Sequence, residues 1–295
     1  MTKRDLVSLV EIKNDNLRDA LNQALGLIDI KINKANKIVI KPNLCYYWHS
    51  STGETTDPQI VSTLIDFIRD NIGHDSDISI VESDATAMRT KYSFKFLGYE
   101  DLAREKDVKL VNLSQDEYKI KKIDGYHLQE VKIPETLLNA DYFISVPKLK
   151  LQDPSLTPLT CALKNQFGCI PIQKKSQYHP VLSEVISDVN SVISPNLCVV
   201  DGRVVKYNSK IIPLNLIIAG TNSLATDIIA AKVLRLNPKK IKCIHLYSKL
   251  AGNTQVEPIG TPITYFSNKI PKNQSGRISR KLKKFAYRIY RSINY

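Results

Sequence analysis

The chain has 295 residues, 43% hydrophobic and 24% charged, which is enough apolar material for a large core and excludes wholesale disorder. Its net charge of +13 is uneven: nine of the 42 lysines and arginines lie beyond Glu257 with no acid among them, so the other 33 face 29 acids. The body is nearly balanced, and the excess positive charge belongs to the C-terminal tail.

Five cysteines (Cys45, Cys161, Cys169, Cys198 and Cys243) are odd in number and form no C-x-x-C, which excludes a zinc ribbon or a local iron–sulfur motif. They read as free thiols. No run of about 18 apolar residues is present to span a bilayer, and the opening "MTKRDLVSLVEIKND" lacks the apolar run of a signal peptide. The expected location is the cytoplasm, with at most a peripheral attachment to a membrane.

In chain order, "KIVIKPN" (37–43) predicts a buried strand running into a loop. "TTDPQIVSTLIDFIRDNIG" predicts a helix that Asp57 caps, Pro58 opens and Gly73 ends, with Ile60, Leu64, Phe67 and Ile68 on one face. Strands are expected at 77–84 and 108–114, with a helix over 92–107 between them. Further strands are expected at 142–150, 197–202 and 214–220, and helices at 221–236 and 238–252. This alternation predicts an α/β fold: a mostly parallel sheet with helices on both faces, in one unit over 1–268 with room for two lobes, and a basic appendage over 269–295.

In such sheets the loops after the strands form the ligand crevice. Lys41 and Asn43 follow the first strand, Glu82 and Asp84 the second, Lys148 and Lys150 the strand at 142–150, and Asp201 the next, while Asp227 lies one turn inside a helix. The stretch "CALKNQFGCIP" adds Lys164 and Asn165 between an apolar run and a glycine. A lysine in such a setting either snorkels or meets an anion. The expectation is a cationic wall of Lys148, Lys150 and Lys164, assisted by Lys41, for a carboxylate or phosphate oriented by Asn43 and Asn165. Lys164, Glu82 and Asp201 are the candidate catalytic groups, and Asp201 and Asp227 are candidate ligands of a divalent metal. The competing reading has the lysines solvated and the acids capping helices.

Other motifs are absent. There is no G-x-G-x-x-G, Walker pattern or G-x-S-x-G elbow, and the five histidines form no H-x-x-x-H or H-x-H pair. His179, Cys45 and Cys169 lie near the candidate loops.

In the order "IVIKPNL", "GYEDLAREKDVKLVNL", "ADYFISVPKLKL", "CALKNQFG", "NLCVVDG" and "TNSLATDIIAAKVL", the chain resembles the domain-of-unknown-function 362 family over about residues 8–260. The phrase from "PKLK" to "ALKNQFG" is the specific part. Matching positions are Lys41, Pro42, Asn43, Lys148, Lys150, Lys164, Asn165, Gly168, Asp201 and Asp227. Many members carry a ferredoxin-like module with two cysteine-rich cluster motifs, so the resemblance implies redox-linked chemistry. With no internal iron–sulfur cluster motif in this sequence, electrons would arrive from a separate electron-carrier protein. Gln152 stands where the family commonly has a histidine, and "GRVVKYNSKIIPLN" replaces the family's glycine-proline turn after Asp201.

In the tail, Ile278, Leu282, Phe285, Ile289 and Ile293 recur every three or four residues in a basic background. That pattern predicts an amphipathic helix suited to an anionic membrane surface, an acidic partner or nucleic acid, or to packing on the body. The leading expectation is an enzyme for a small anionic metabolite. Its rival is a binding or scaffold protein docked through the tail.

Overall fold

The computed structural model describes residues 4–32, 35–73, 75–151, 157–252 and 254–271. The basic tail beyond 271 and Gln152 lie outside the described residues.

Strands β1 (Asp5–Glu11), β2 (Lys37–Pro42), β3 (Asp77–Glu82) and β4 (Lys109–Asn112) enter the main sheet first. A separate antiparallel pair follows, β5 (Tyr118–Lys122) with β6 (Glu130–Pro134). The main sheet resumes with β7 (Tyr142–Val146), β8 (Lys148–Leu151), β9 (Leu159–Thr160), β10 (Leu197–Tyr207), β11 (Lys210–Gly220) and β12 (Val256–Gly260). Its order is β12-β1-β11-β10-β7-β2-β3-β4, with β8 paired to β10 and β9 paired to β8. Along this path every neighbouring pair is parallel except those made by β11, which runs against both β1 and β10.

Strand alternation divides the core between the two faces. Ile38 and Ile40 of β2 pack with Ile78 and Ile80 against helices α1 (Leu17–Leu27), α2 (Pro58–Ile72), α3 (Thr90–Phe96) and α4 (Tyr99–Glu105). On the opposite face, beyond the short turn α5 (Glu135–Leu138), Val39, Val81 and Val200 pack against α6 (Ala162–Gln166), α7 (Leu182–Asn190), α8 (Ser223–Val233) and α9 (Lys242–Ala251), with Phe266 of α10 (Ile263–Lys269). Helices thus cover both faces of a mostly parallel sheet.

The helix expected from 57 to 73 forms as anticipated. Asp57 accepts from the Gln59 N–H, Pro58 begins α2, and Gly73 with φ of 95° ends it. The single helix expected over 92–107 is instead two. Gly98, at φ of 79°, takes a left-handed conformation that breaks α3 from α4. The strand expected over 142–150 is likewise divided, because Pro147 has no N–H to donate. Beyond it β8 pairs with β10, with Lys148 opposite Asp201.

The chain passes from β2 outward to β3 and β4, then returns to lay β7 along the other side of β2. Between β2 and β7 the direction of winding reverses: the strands stay paired to Pro42 and Val146, and the chain leaves β2 for α2 on one face and β7 for α6 on the other. In open α/β sheets that switch point is where a crevice forms.

Candidate functional site at the topological switch point

Near the carboxyl ends of β2 and β3 two side chains meet as an ion pair, Lys41 Nζ to Glu82 Oε1 at 2.7 Å, with both almost fully buried. Backbone groups fix the carboxylate: Leu44 N–H donates to Oε2 at 3.1 Å and Ser83 N–H to Oε1 at 3.0 Å. Beyond Pro147, Lys148 reaches the Oδ2 of Asp201 at 2.8 Å, again with neither side chain exposed. Asp201 also accepts from Asp57 N–H at 2.8 Å and Arg203 N–H at 3.1 Å. One step along β8, Lys150 donates to the Glu54 carbonyl at 2.7 Å, to Glu54 Oε2 at 3.1 Å and to Cys45 Sγ at 3.0 Å. Lys206 pairs with the other oxygen of Glu54.

Three of the expected lysines are therefore neither a bare cationic wall nor solvated. Each is buried against a carboxylate. For Lys150, burial works against the charge, but Cys45 and Glu54 outweigh it and raise the pKa. For Glu54, burial likewise opposes the charge, yet Lys150 and Lys206 hold its carboxyl below the usual range.

Asn165 fastens α6 to this row. Its Nδ2 donates to the Lys41 carbonyl at 3.1 Å and to Ser145 Oγ on β7 at 2.9 Å, while Asn43 Nδ2 reaches its Oδ1 at 3.4 Å. Lys164, one residue earlier, is part-exposed and donates to Thr160 Oγ1 at 3.2 Å. Burial, reinforced by the Lys150 cation, lowers its pKa to about 8. His179 is lowered by burial and then by Lys164.

Gly168 closes the other side. A Cβ there would stand 2.7 Å from Lys41 Nζ and 3.1 Å from Glu82 Oε1, so the backbone approach needs a residue without one. Its carbonyl accepts from Ser83 Oγ, which itself accepts from Lys175 Nζ at 2.7 Å. Lys175 also donates to the Asp84 carbonyl at 2.6 Å, and burial pushes it down to about 8.

Asp227 does not join the row. Its carboxylate accepts from Ala162 N–H at 2.7 Å and Leu163 N–H at 3.3 Å, so it caps α6, the helix that carries Lys164 and Asn165. Burial raises its pKa to about 7. Both proposed metal ligands are thus engaged by protein groups. Among the described residues no group of three or more His, Cys, Asp or Glu is placed to hold a metal ion. Cys169 is buried and its thiol is pushed up to about 12. Cys45 is the one cysteine with partial exposure among the five free thiols.

The structure brings Lys41, Asn43, Glu82, Lys148, Lys150, Lys164, Asn165 and Asp201 to one end of the sheet, while Asp227 holds the start of α6. Three participants were not among the expected residues: Glu54, Lys175 and Ser83. The loop "GETT" after the first strand was the available hint for Glu54. There Gly53, at φ of 73°, sits where a Cβ would strike the Lys206 backbone at 2.5 Å.

Residues 38–232 match the family described as Domain of unknown function (DUF362). The chain belongs to that family. It is also similar to a thylakoid-associated protein of Synechocystis sp., 22% identical over 258 residues that cover 83% of this chain and 77% of the relative. Among solved structures it is similar to the lactate racemase apoprotein of Thermoanaerobacterium thermosaccharolyticum, with a TM-score of 0.46 and 13% identity over 80% of this chain and 58% of that one. A protein of Thermotoga maritima gives a TM-score of 0.43 and 12% identity over 80% of this chain and 59% of that one. The chain therefore spans under two thirds of the length of these two solved proteins. Among the described residues no helix is long and apolar enough to cross a membrane.

Proposed function

We propose that this DUF362 member is an enzyme acting on a small anionic metabolite, a carboxylate or phosphate, bound in the crevice beyond the carboxyl ends of β2, β7 and β8. The observation that carries this reading is the row of buried lysine–carboxylate pairs at the switch point: Lys41 with Glu82, Lys148 with Asp201 and Lys150 with Glu54. Burying such pairs is poor value for stability alone, since apolar residues of similar volume often do as well or better. Their concentration at the switch point, where ligands of open α/β sheets bind, supports a working site over a purely structural network.

Lys164 is the group that meets the substrate. With a pKa of about 8 it is mainly protonated at neutral pH, yet an appreciable fraction is neutral. It can therefore hold an anion and exchange a proton with it near neutrality. Asn43 and Asn165 orient the ligand. Glu82 and Asp201 act through the lysines they fix, keeping the local charge in place while the proton moves.

The test is the thermal stability of the full chain against nucleotides, phosphorylated metabolites, carboxylates and divalent metals. A ligand at about 100 times its dissociation constant adds roughly 2.7 kcal/mol, a rise of several degrees for a chain of this size. The expected result is a stabilising anion whose effect disappears in Lys164→Ala. An effect that survives that substitution, or no stabilising anion at all, overturns the assignment.

A further inference from the structure

Immediately past the site, the loop after β2 turns outward and presents Tyr46, Tyr47 and Trp48 to solvent, and α3 presents Tyr92 and Phe96 beside them. Phe96 is 61% exposed and Trp48 58%. The loop and the helix are joined: the Tyr47 and Phe96 rings meet edge to face at 5.8 Å, and the Arg89 N–H donates to the Tyr47 hydroxyl at 2.8 Å. Large aromatic side chains left in water beside one another form the kind of patch that marks an interaction site.

Basic side chains flank the patch. Arg89, Lys91 and Lys95 are exposed on or next to α3. Arg89 and Lys91, with Tyr92, Asn112 and Gln115, also line a cavity of about 520 Å³. The one carboxylate in that lining, Asp84, is tied up by the Thr90 N–H at 2.9 Å and by Asn112 and Arg89.

We infer that this surface docks the protein onto an anionic lipid bilayer. The aromatic rings of the 46–48 loop and α3 enter the headgroup layer, while Lys91, Lys95 and Arg89 meet the lipid phosphates. Tyrosine and tryptophan, apolar in body and polar at the tip, favour that layer, and lysines and arginines flanking them add attraction to an anionic leaflet. Nucleic acid fits less well, because stacking needs open ring faces. Here Tyr92 stacks on Phe96 at 6.0 Å and carries the Lys91 ammonium 4.8 Å from its ring centre. Docking through this surface would bring the end of the sheet that carries the switch-point site to the bilayer.

Trp48 is the chain's single tryptophan, so its fluorescence reports this patch and no other part of the molecule. The full chain would be mixed with phosphatidylcholine vesicles, with and without phosphatidylglycerol, and separately with a single-stranded oligonucleotide. The expected result is emission open to iodide in the free protein, then a blue shift and quenching by lipid brominated in its acyl chains, seen with phosphatidylglycerol only. Lys91→Gln with Lys95→Gln should weaken partitioning by roughly 25-fold, at about fivefold for each basic side chain near an anionic surface. Tyr92→Ser with Phe96→Ser should lower it as well. All four positions are exposed, so these variants are expected to fold. Vesicle binding that leaves Trp48 unshifted assigns the contact to another part of the chain and overturns the inference. So do a shift with the oligonucleotide alone, a Trp48 already shielded from iodide, and partitioning indifferent to the paired substitutions.

Discussion

Lys164 shows how one side chain's surroundings become a measurable pH dependence. Its pKa falls from 10.5 in the free residue to about 8 in the fold, through burial and then the Lys150 cation. Below about 8 both the folded and unfolded chains hold the proton, and the residue's contribution to stability is at its least favourable and does not change with pH. Between about 8 and 10.5 the folded protein has released a proton that the unfolded chain keeps, so this residue's contribution to stability rises with pH. Denaturant midpoints of the wild type and Lys164→Met, measured across that range, should show the wild type gaining on the variant. A gap that does not change with pH would mean that Lys164 titrates as an ordinary surface lysine. Strand-end position was enough to single out Lys41 and Glu82 in the sequence, because the exit of a buried strand is a local feature, whereas Lys148 and Asp201, expected at strand exits, instead open β8 and lie inside β10. Their partners were not legible in the same way. Glu54 meets Lys150 across 96 positions and Lys175 meets Ser83 across 92, and nothing in the local pattern of either partner announces the other.

At the scale of the element, the Lys148–Asp201 pair is a cross-strand contact between β8 and β10, and it doubles as the joint where β7 gives way to β8. Lys148→Met leaves Asp201 buried with two backbone N–H donors but no counter-ion, a loss of about 3–5 kcal/mol. Adding Asp201→Asn removes the stranded charge and should restore a large part of that. In a double-mutant cycle by denaturant unfolding, the pair would therefore be much less destabilised than the sum of the single changes. Additive losses would show that the two side chains do not interact. The hairpin around this joint was only half readable. "NLCVVDG" and "LNLIIAG" are continuous apolar runs, whereas the rest of β10 and β11, "RVVKY" and "KIIP", mixes charge with apolar residues because that end is half exposed. The single helix expected over 92–107 failed for a similar reason. Leu97, Leu102 and Ala103 kept a helical spacing across a glycine whose left-handed φ no spacing encodes.

For the whole molecule, the parallel α/β class followed from the alternation of apolar runs, but the two edge pairings of β1 did not. That strand joins β11 antiparallel and β12 parallel, so the first described strand is held in the sheet by segments more than 200 residues away. Contacts so distant in sequence leave no periodic trace. They also make the segment after Gly252 part of the body: β12 pairs with β1 from Asp5 opposite Val256 to Leu9 opposite Gly260, Phe266 is wholly buried under α8, and Lys269 pairs with Glu11 at 3.0 Å. A chain ended at Pro271 keeps all three. A chain ended at Gly252 loses them together, and the missing Phe266 alone corresponds to about 3–5 kcal/mol. The shorter chain should accordingly unfold at a clearly lower denaturant concentration than the longer one, and with β1 exposed along one edge it should also aggregate more readily. Equal midpoints for the two would place β12 and α10 outside the cooperative unit and leave β1 held by β11 alone.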